Sequence, residues 1–279
     1  WVAGLTGEAA VGLEPWVADL CDRLVVEHVV HADETGARVE GVKWWFHVAS
    51  TAMLTFIAIH RRRGVVATDS FVIFPRFRGT MIHDRWAPYW RYTKARHAIC
   101  NAHILRDLAG VAEVDSQKLW ADAMGELLIE AKRRCDTARD QGRASLPRGQ
   151  RKMLSARYDA IVDQALAANP EPGDGQKRDY LERASYNLAV ALRDHAHEIL
   201  RFTADLAVSF DNNQAERDLR MAKLQMKVSG SFRTSKGAER FGHVRSYIET
   251  ARKHGLNPLD VLVELFTGNP WTIPSPVGT

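Results

Sequence analysis

The stretch FDNNQAERDLRMAKLQMKVS, residues 210–229, decides how the rest of the sequence is interpreted. Asp211, Asn212 and Asn213 are good N-cap residues, and strong helix formers follow them, so the pattern predicts a helix that begins near residue 213. Helical spacing divides this helix into two faces. The apolar face, predicted to dock on a core, contains Ala215, Leu219, Ala222 and Met226. The polar face contains Glu216, Arg220, Lys223 and Lys227.

The polar face allows two interpretations. One carboxylate at the head of a cationic stripe suits a metal-bound phosphate with a nucleic-acid backbone that runs away from it. Alternatively, the helix is an ordinary solvated helix with Glu–Arg and Glu–Lys pairs. Taken by itself the helix favours the second interpretation, so the choice depends on the rest of the chain.

Composition indicates a globular protein. The chain has 279 residues, 46% hydrophobic and 26% charged, which is enough for one large domain or two modest ones. No apolar run reaches the roughly 18 residues of a membrane helix, and no secretory signal is visible, so we expect a cytoplasmic protein without a membrane partner. The first residue is Trp1 rather than Met, which suggests a fragment. Cys21, Cys100 and Cys135 are widely spaced and are interpreted as reduced thiols, with no zinc site.

The net charge of +4 is unevenly distributed. Residues 61–106 contain ten Lys and Arg against two Asp and Glu, and residues 214–255 contain ten against four. The net charge is −5 over residues 1–60 and −3 over residues 107–213. Two basic segments therefore flank an acidic-to-neutral middle, as expected of a protein with one surface facing a polyanion.

The N-terminal third predicts a helix and then a sheet. Residues 1–28 have helical spacing, and the β-branched run that ends at Ala32 predicts a buried strand with Asp33 at or near its end. Thr35-Gly36 predicts a turn. Residues 39–50 and 52–60 then predict the second and third strands of an antiparallel meander.

The next segment predicts a short helix over residues 65–72, a short strand over 79–84 and a further strand over 97–100. Asp84 would lie at the carboxyl end of its strand, where open α/β sheets place functional groups. The alternative is a helix N-cap, since Trp86-Ala-Pro-Tyr follows. His103 and Arg106, on a helix that starts at Asn101, would support the site by facing a phosphate or the metal, although a lone His more often has a structural role.

Strand signals are absent between residues 109 and 205, where three long helical patterns indicate an all-helical insertion inside an α/β domain. After the central helix, Arg233 and Lys236 lie in a small polar loop that suits phosphate contacts or is simply exposed and flexible. A helix over 238–254 and a short one over 258–266 follow, and the tail from Asn269 would be poorly ordered unless docked. The predicted domains are a helical lead-in (1–26), the first part of a core (27–108), the insertion (109–205), the second part of the core (206–255) and a C-terminal helix and tail (256–279).

Three acidic residues stand out: Asp33, Asp84 and Glu216. Converging carboxylates bind Mg²⁺, and two such ions roughly 3.5–4 Å apart can promote phosphodiester displacement. The order of elements is that of a ribonuclease H-like mixed sheet flanked by helices. The separation between Asp84 and Glu216 is too long for that fold alone, and the helical insertion between them accounts for the excess.

Several separated motifs resemble the insertion sequence 66 family of transposases. They are His31-Ala-Asp33-Glu34-Thr35-Gly36, His83-Asp84-Arg-Trp-Ala-Pro-Tyr89, Cys100-Asn-Ala-His103-Ile-Leu-Arg106, Asp211-Asn-Asn-Gln-Ala-Glu216-Arg-Asp-Leu-Arg-Met221, Ser229-Gly-Ser-Phe-Arg233, Gly237-Ala238 and Ser246-Tyr-Ile-Glu-Thr250. The resemblance covers residues 15 to 266.

The resemblance implies a bacterial, nucleoid-associated DDE transposase. Asp33, Asp84 and Glu216 would hold two Mg²⁺ ions, with Mn²⁺ able to replace them, and Asn212 and Asn213 would support them. The enzyme would cut DNA at the element ends and join the 3′-hydroxyls to target DNA, as a homo-oligomer on DNA. Arg220, Lys223, Lys227, Arg233 and Lys236 are the predicted DNA contacts, and Glu34 is expected to support the site rather than bind metal.

Two alternatives stay open. One is another ribonuclease H-like nuclease, such as a junction resolvase or an RNA–DNA hybrid nuclease, which would cleave without strand transfer. The other is a non-catalytic DNA-binding remnant of a transposase, against which the three intact acidic positions argue.

Overall fold

A computed structural model describes residues 12–171 and 180–275 of the chain. The described part is a mixed α/β protein whose contacts group it into two compact units. The first unit combines Trp1–Arg96 with Asn212–Thr279, and the second is His97–Asp211. The predicted boundaries at 108/109 and 205/206 stay predictions, and the part of the N-terminal helix predicted before residue 12 lies outside the described residues.

The first unit contains most of the sheet. Its N-terminal segment forms α1 (Glu14–Val26), β1 (Val29–Val39), β2 (Val42–Ser50), β3 (Thr55–His60), α2 (Val65–Ser70), β4 (Thr80–His83), a 3₁₀ helix (Ala87–Arg91) and the start of β5 (Arg96–Ile99).

The second unit is helical after β5. It consists of α3 (Asn101–Val111), α4 (Asp115–Asp140), α5 (Arg148–Ala168), α6 (Tyr180–Asp194), α7 (Ala196–Ile199) and α8 (Arg201–Ala204). No strand occurs in the described residues between 109 and 205, in agreement with the sequence pattern.

After the helical unit the chain returns to the first unit. It forms α9 (Asn213–Asp218), α10 (Arg220–Ser229), α11 (Ser235–Lys253) and α12 (Pro258–Phe266). The predicted start at residue 213 is confirmed, but the single helix predicted there is divided into α9 and α10 at Leu219. None of the helices among residues 12–171 and 180–275 is long and apolar enough to cross a membrane.

The strands form one mixed sheet in the order β3-β2-β1-β4-β5. β1, β2 and β3 are an antiparallel meander, and β4 is parallel to β1. This arrangement is compatible with a ribonuclease H-like fold. The predicted turn at Thr35-Gly36 is wrong, because both residues pair with β2 inside an eleven-residue β1. The turn lies at Glu40-Gly41, where both residues have positive φ, 53° and 76°, as the tight turns of β-hairpins require.

Each face of the sheet has its own core. On one face, β1 contributes Val30 and Ala32 to a core that also contains residues of α1, α11 and α12. On the other face, β1 contributes Ala37 and Val39 to a core that includes Ala215, Leu219 and Ala222 of α9 and α10. The apolar face predicted for the central helix is therefore the face that packs on the sheet, because alternate β1 residues point to opposite sides.

The α9–α10 segment is attached to β1 at both ends. At the start, Asn212 Nδ2 donates to Ala32 O (2.8 Å). At the end, Phe232 N donates to Arg38 O (2.8 Å) and Glu40 N donates to Phe232 O (2.9 Å). Because the two attachments lie near opposite ends of β1, α9 and α10 run along the strand between them.

Helix α11 covers β3, the strand at the outer edge of the sheet. The Ser246 hydroxyl accepts from Ile57 N (2.8 Å) and the Thr250 hydroxyl accepts from Thr55 N (3.0 Å), so the free edge amides gain partners. A Cβ at Gly242 would lie 2.8 Å from Ile57 O, so the close approach depends on glycine at this position. The tail is docked as far as Pro274, since Arg23 donates to Ile273 O and Pro274 O.

Asp218 and Lys253 form a buried ion pair between α9 and α11. Lys253 Nζ lies 2.8 Å from Asp218 Oδ2, and the two side chains are 12% and 6% exposed. Lys253 also donates to Thr51 O and Leu54 O, and Asp218 accepts from the Thr55 hydroxyl. Burial lowers the pKa of Lys253, while the charge of Asp218 and its hydrogen bond raise it. The pair fixes α9 to the edge of the sheet.

Candidate active site

Asp33 and Asp84 reach the same level on neighbouring parallel strands. His31 of β1 is in register with Ile82 of β4, and the two aspartates lie two residues beyond that pair. Asp84 follows β4 directly, as predicted, whereas Asp33 lies within β1. Asp84 Oδ1 accepts from Trp86 N (2.9 Å), which holds the turn into the 3₁₀ helix, so Asp84 combines a strand-end position with a turn-stabilising hydrogen bond.

The two aspartates are electrostatically coupled. The pKa of Asp33 is raised to about 7. Burial is the main cause, and the negative charges of Glu34 and Asp84 act in the same direction, while the Glu34 amide and the charge of Lys223 act to lower it. Asp33 is only partly exposed, so two carboxylates of like charge lie near each other with limited access to water. A divalent cation is the kind of ligand that relieves this repulsion.

Strand alternation separates Asp33 from Glu34. Asp33 is paired with Val48, which belongs to the core beneath α9 and α10, so Asp33 points towards that helical segment. Glu34 points to the opposite face of the sheet. Asp33 and Glu34 therefore lie on opposite faces of the sheet, although they are adjacent in the sequence.

Glu34 is fully engaged in a buried network. Its side chain is 2% exposed, with Arg63 Nη2 2.6 Å from Oε1 and the Tyr89 hydroxyl donating to Oε2 at 2.6 Å. The Arg63 guanidinium also lies 4.3 Å from the ring centre of Trp86 and 4.8 Å from that of Trp45. Burial raises the pKa of Glu34, and these partners lower it. The carboxylate thus holds β1 to the 3₁₀ helix.

Asn212 places the start of α9 beside Asp33. It is buried, its Oδ1 lies 2.9 Å from His31 Nδ1, and its Nδ2 donates to Ala32 O. Because Nδ2 is the donor, Oδ1 is the acceptor and His31 carries its proton on Nδ1. Asn212 occupies the N-cap position of α9, yet its side chain bonds to β1 and not to the helix.

Glu216 lies in the first turn of α9. Its amide donates to Asn212 O (3.3 Å), and its side chain is partly exposed. The helix that carries Glu216 is therefore attached to β1 at Ala32, the residue before Asp33. Among residues 12–171 and 180–275, no group of three or more His, Cys, Asp or Glu side chains is arranged to hold a metal ion.

The comparison with known proteins identifies the family. The family model described as "Transposase IS66 family" matches residues 1–240. The chain belongs to the IS66 family of transposases. A search of curated proteins gives no match. The assignment agrees with the resemblance carried by the separated motifs, and it implies that the protein interacts with DNA.

The cationic stripe of this IS66-family protein comes close to Asp33 at Lys223. Lys223 is exposed, and its charge lowers the pKa of Asp33. Arg220 and Lys227 are exposed on the same face of α10. Arg233 and Lys236 are exposed in the loop after α10 and in the first turn of α11.

The remaining predicted residues have varied positions. Asn213 is the first residue of α9 and is exposed, whereas His103 and Arg106 are on α3 in the second unit. His103 is partly buried, and its Nδ1 is without a hydrogen-bond partner in the described part of the chain. Arg106 is exposed.

Three residues that stabilise the first unit of this transposase-family protein were not predicted from the sequence. Arg63 and Tyr89, the partners of Glu34, are 29 and 55 residues away from it along the chain. Asp218 was overlooked although it adjoins the apolar face of the central helix. A carboxylate at a buried position requires a cation, and this signal would have pointed to a partner such as Lys253.

Proposed function

We propose that the chain is a DDE transposase that cleaves DNA at transposon ends and transfers the strands to target DNA. The observation that carries this proposal is the position of Asp33 and Asp84 at one level of two parallel strands, with Asp33 on the face along which α9 and α10 run. The IS66 family assignment supports it independently.

Asp33, Asp84 and Glu216 would hold two Mg²⁺ ions, for which Mn²⁺ could substitute. The donor set fits, because all three are carboxylates and the Asp33–Asp84 pair has an unfavourable like-charge interaction without a cation. Ions held by these carboxylates would supply Lewis-acid chemistry for phosphodiester cleavage, at the attacking hydroxyl and at the leaving oxygen. The protein's own contribution is to fix the carboxylates, Glu216 through the attachment of Asn212 to β1.

The cationic stripe would bind the DNA backbone next to the reacting phosphate. Arg220, Lys223 and Lys227 are exposed on one helix face, and Lys223 lies close enough to act on the charge of Asp33. Phosphate contacts position the substrate but do not read its sequence. Arg233 and Lys236 would extend this contact from the loop that follows.

The decisive experiment compares Glu216→Gln with Glu239→Gln, an exposed residue of α11 that serves as a matched control. Each protein is incubated with Mg²⁺, a labelled duplex carrying the DNA ends of its insertion element, and a target plasmid. We expect Glu216→Gln to lose both cleavage and strand transfer by about 10³-fold, which corresponds to roughly 4 kcal/mol, and the control to retain both. Unchanged cleavage by Glu216→Gln would refute the catalytic assignment. Cleavage without any joined product in the unmodified protein would favour the nuclease alternative.

A second experiment tests the stripe. Replacing Arg220, Lys223 and Lys227 by Gln is expected to weaken binding to duplexes of any sequence and to lower the slope of log K against log salt by about 2.7, near 0.9 for each lost contact. Arg76→Gln, which removes an exposed cation already paired with Asp22, is the control. An unaltered salt slope in the triple variant would remove these residues from the DNA contact.

A further inference from the structure

Helices α4 and α5 of the second unit form a hairpin with a strongly basic end. Residues 132–157 contain nine Lys and Arg against two Asp, a net charge of +7. Residues 107–213 as a whole have a net charge of −3, so the remainder of that segment is strongly acidic and conceals the basic end in any average. The positive charge of the helical unit is therefore concentrated in the α4–α5 hairpin.

Several of these cations are not neutralised by the protein. Lys132 and Arg139 pair with Asp136, and Arg134 and Arg157 pair with Glu130. Within the described residues, no carboxylate lies at ion-pair distance from four exposed side chains, which we call the hairpin surface: Arg133, Arg143, Arg148 and Lys152. Four unpaired cations within 20 residues of one helical hairpin repel each other, and this repulsion is relieved when a polyanion binds there.

The loop that joins the helices is rigidly held. Gly142, with φ of 71°, donates to Arg139 O (2.9 Å), and Arg143 N donates to Ala138 O (3.0 Å), which is the hydrogen-bond pattern of a Schellman helix end. Leu146 is buried, and its amide donates to Thr203 O (3.0 Å). The backbone that presents Arg143 is therefore fixed before any ligand arrives, which lowers the entropy cost of binding.

A cleft of about 380 Å³ lies between the end of α4 and the start of α5. Its lining is rich in hydrogen-bond donors: Arg133, Arg134, Thr137, Gln141, Arg143 and Gln150. The first turn of α5 contains no acidic residue, so nothing there repels an anion. Arginine, amide and hydroxyl donors around a cleft of this size suit phosphate oxygens.

We propose that the hairpin surface is a second DNA-binding surface, which contacts the sugar–phosphate backbone. The inference rests on the proposed function only in taking DNA as the macromolecule that the protein handles. A protein partner fits less well, since such interfaces are centred on buried aromatic or aliphatic anchors and the cleft is lined mainly by polar and charged side chains.

The test uses the whole chain in EDTA, so that no cleavage occurs, and a fluorescein-labelled 30-base-pair duplex of mixed sequence. Arg143→Gln/Arg148→Gln lowers the net charge by two. Lys118→Glu lowers it by the same amount in the first turn of α4, about 33 Å along the helix from its last residue, Asp140. Lys118 is exposed and paired with Asp122, so its replacement controls for net charge alone.

Fluorescence anisotropy between 50 and 300 mM NaCl gives the affinity and its salt dependence. We expect the double variant to bind roughly 10- to 100-fold more weakly at 0.1 M salt and to lose about 1.8 from the slope of log K against log salt. Lys118→Glu should keep the unmodified slope. Thermal melting followed by circular dichroism checks that both variants remain folded.

Equal slopes for the double variant and Lys118→Glu would overturn the proposal. The result is independent of the Glu216→Gln experiment, because binding in EDTA requires no catalysis. A reduced slope together with an unaffected Glu216→Gln enzyme would leave the hairpin surface as a DNA contact and remove only the catalytic assignment.

Discussion

Two aspartate environments in the first unit have opposite electrostatics. Asp218 is buried, but Lys253 lies 2.8 Å away and the Thr55 hydroxyl adds a hydrogen bond. Asp33 is also removed from water, yet its near neighbours include the like charges of Glu34 and Asp84, and its pKa rises to about 7. A carboxylate that holds the fold together is neutralised from within, whereas one left with excess negative charge is suited to an external cation.

The largest effect is expected when each of the two aspartates is replaced. Asp218→Ala should lower the free energy of unfolding by about 3–5 kcal/mol, because it leaves Lys253 buried without its counter-charge. Asp33→Asn should raise the free energy of unfolding in metal-free buffer, because it removes a repulsive charge. Urea denaturation at pH 8 in EDTA measures both.

A rescue variant separates charge from packing in that experiment. Asp218→Leu/Lys253→Met removes both charges and should recover most of the stability lost in Asp218→Ala. A loss of several kcal/mol in Asp33→Asn would show that Asp33 is a structural carboxylate like Asp218, and the contrast between the two would disappear.

A buried histidine of the first unit makes the free energy of unfolding depend on pH. His47 is in the sheet interior next to Phe71, and burial lowers its pKa to about 4. In the unfolded chain His47 takes up a proton near pH 6.5, while the folded protein does so only near pH 4, so stability is lost as the pH falls between these values. The loss amounts to about 3 kcal/mol.

The measurement is the urea midpoint at pH 7.5, 5.5 and 4.5. His47→Gln should remove this part of the pH dependence, whereas His60→Gln, on the next strand, should retain it. If His47→Gln followed the unmodified protein at every pH, His47 would already be protonated or exposed in the folded state.

The smallest expected effect concerns the approach of α11 to β3, which places Lys253 near Asp218. Gly242→Ala puts a Cβ 2.8 Å from the Ile57 carbonyl oxygen and should cost about 1–3 kcal/mol. Gly110→Ala, in α3, meets no heavy atom within 4 Å and should stabilise by about 0.5–1 kcal/mol. Thermal unfolding of both variants is sufficient, and equal melting temperatures would mean that α11 can move away from the strand without cost.

Much of the fold could be predicted because it is encoded locally. The central helix has two complete faces within 17 residues, and its apolar face packs on the sheet as the spacing predicts. The end of β1 was misplaced because Thr35-Gly36 has the composition of a turn. The position of the turn is set by the pairing of β1 with β2. This pairing involves residues of β2 and cannot be recognised from Thr35 and Gly36 alone.

In the candidate site, too, some residues could be selected from local sequence while others depend on distant partners. Asp33 and Asp84 could be selected because each follows a buried apolar run in the sequence. The separate role of Glu34 could not be foreseen, since it depends on Arg63 and Tyr89, which reach it through the folded chain. The basic end of the α4–α5 hairpin was hidden by averaging over an acidic segment, and only the helix ends and ion pairs of the structure separate it.

Because α9 and α10 are attached to β1 at both ends, the length of this helical segment must match the length of the strand between the attachments. The strand from His31 to Val39 spans about 26 Å, and the helical residues 213–229 span about 25 Å. One residue added to or removed from this helical stretch would shift its far end by about 1.5 Å and turn it by about 100°. Either the Phe232 contact would break or Lys223 would rotate away from Asp33, so the number of residues in this stretch is constrained as tightly as their identity.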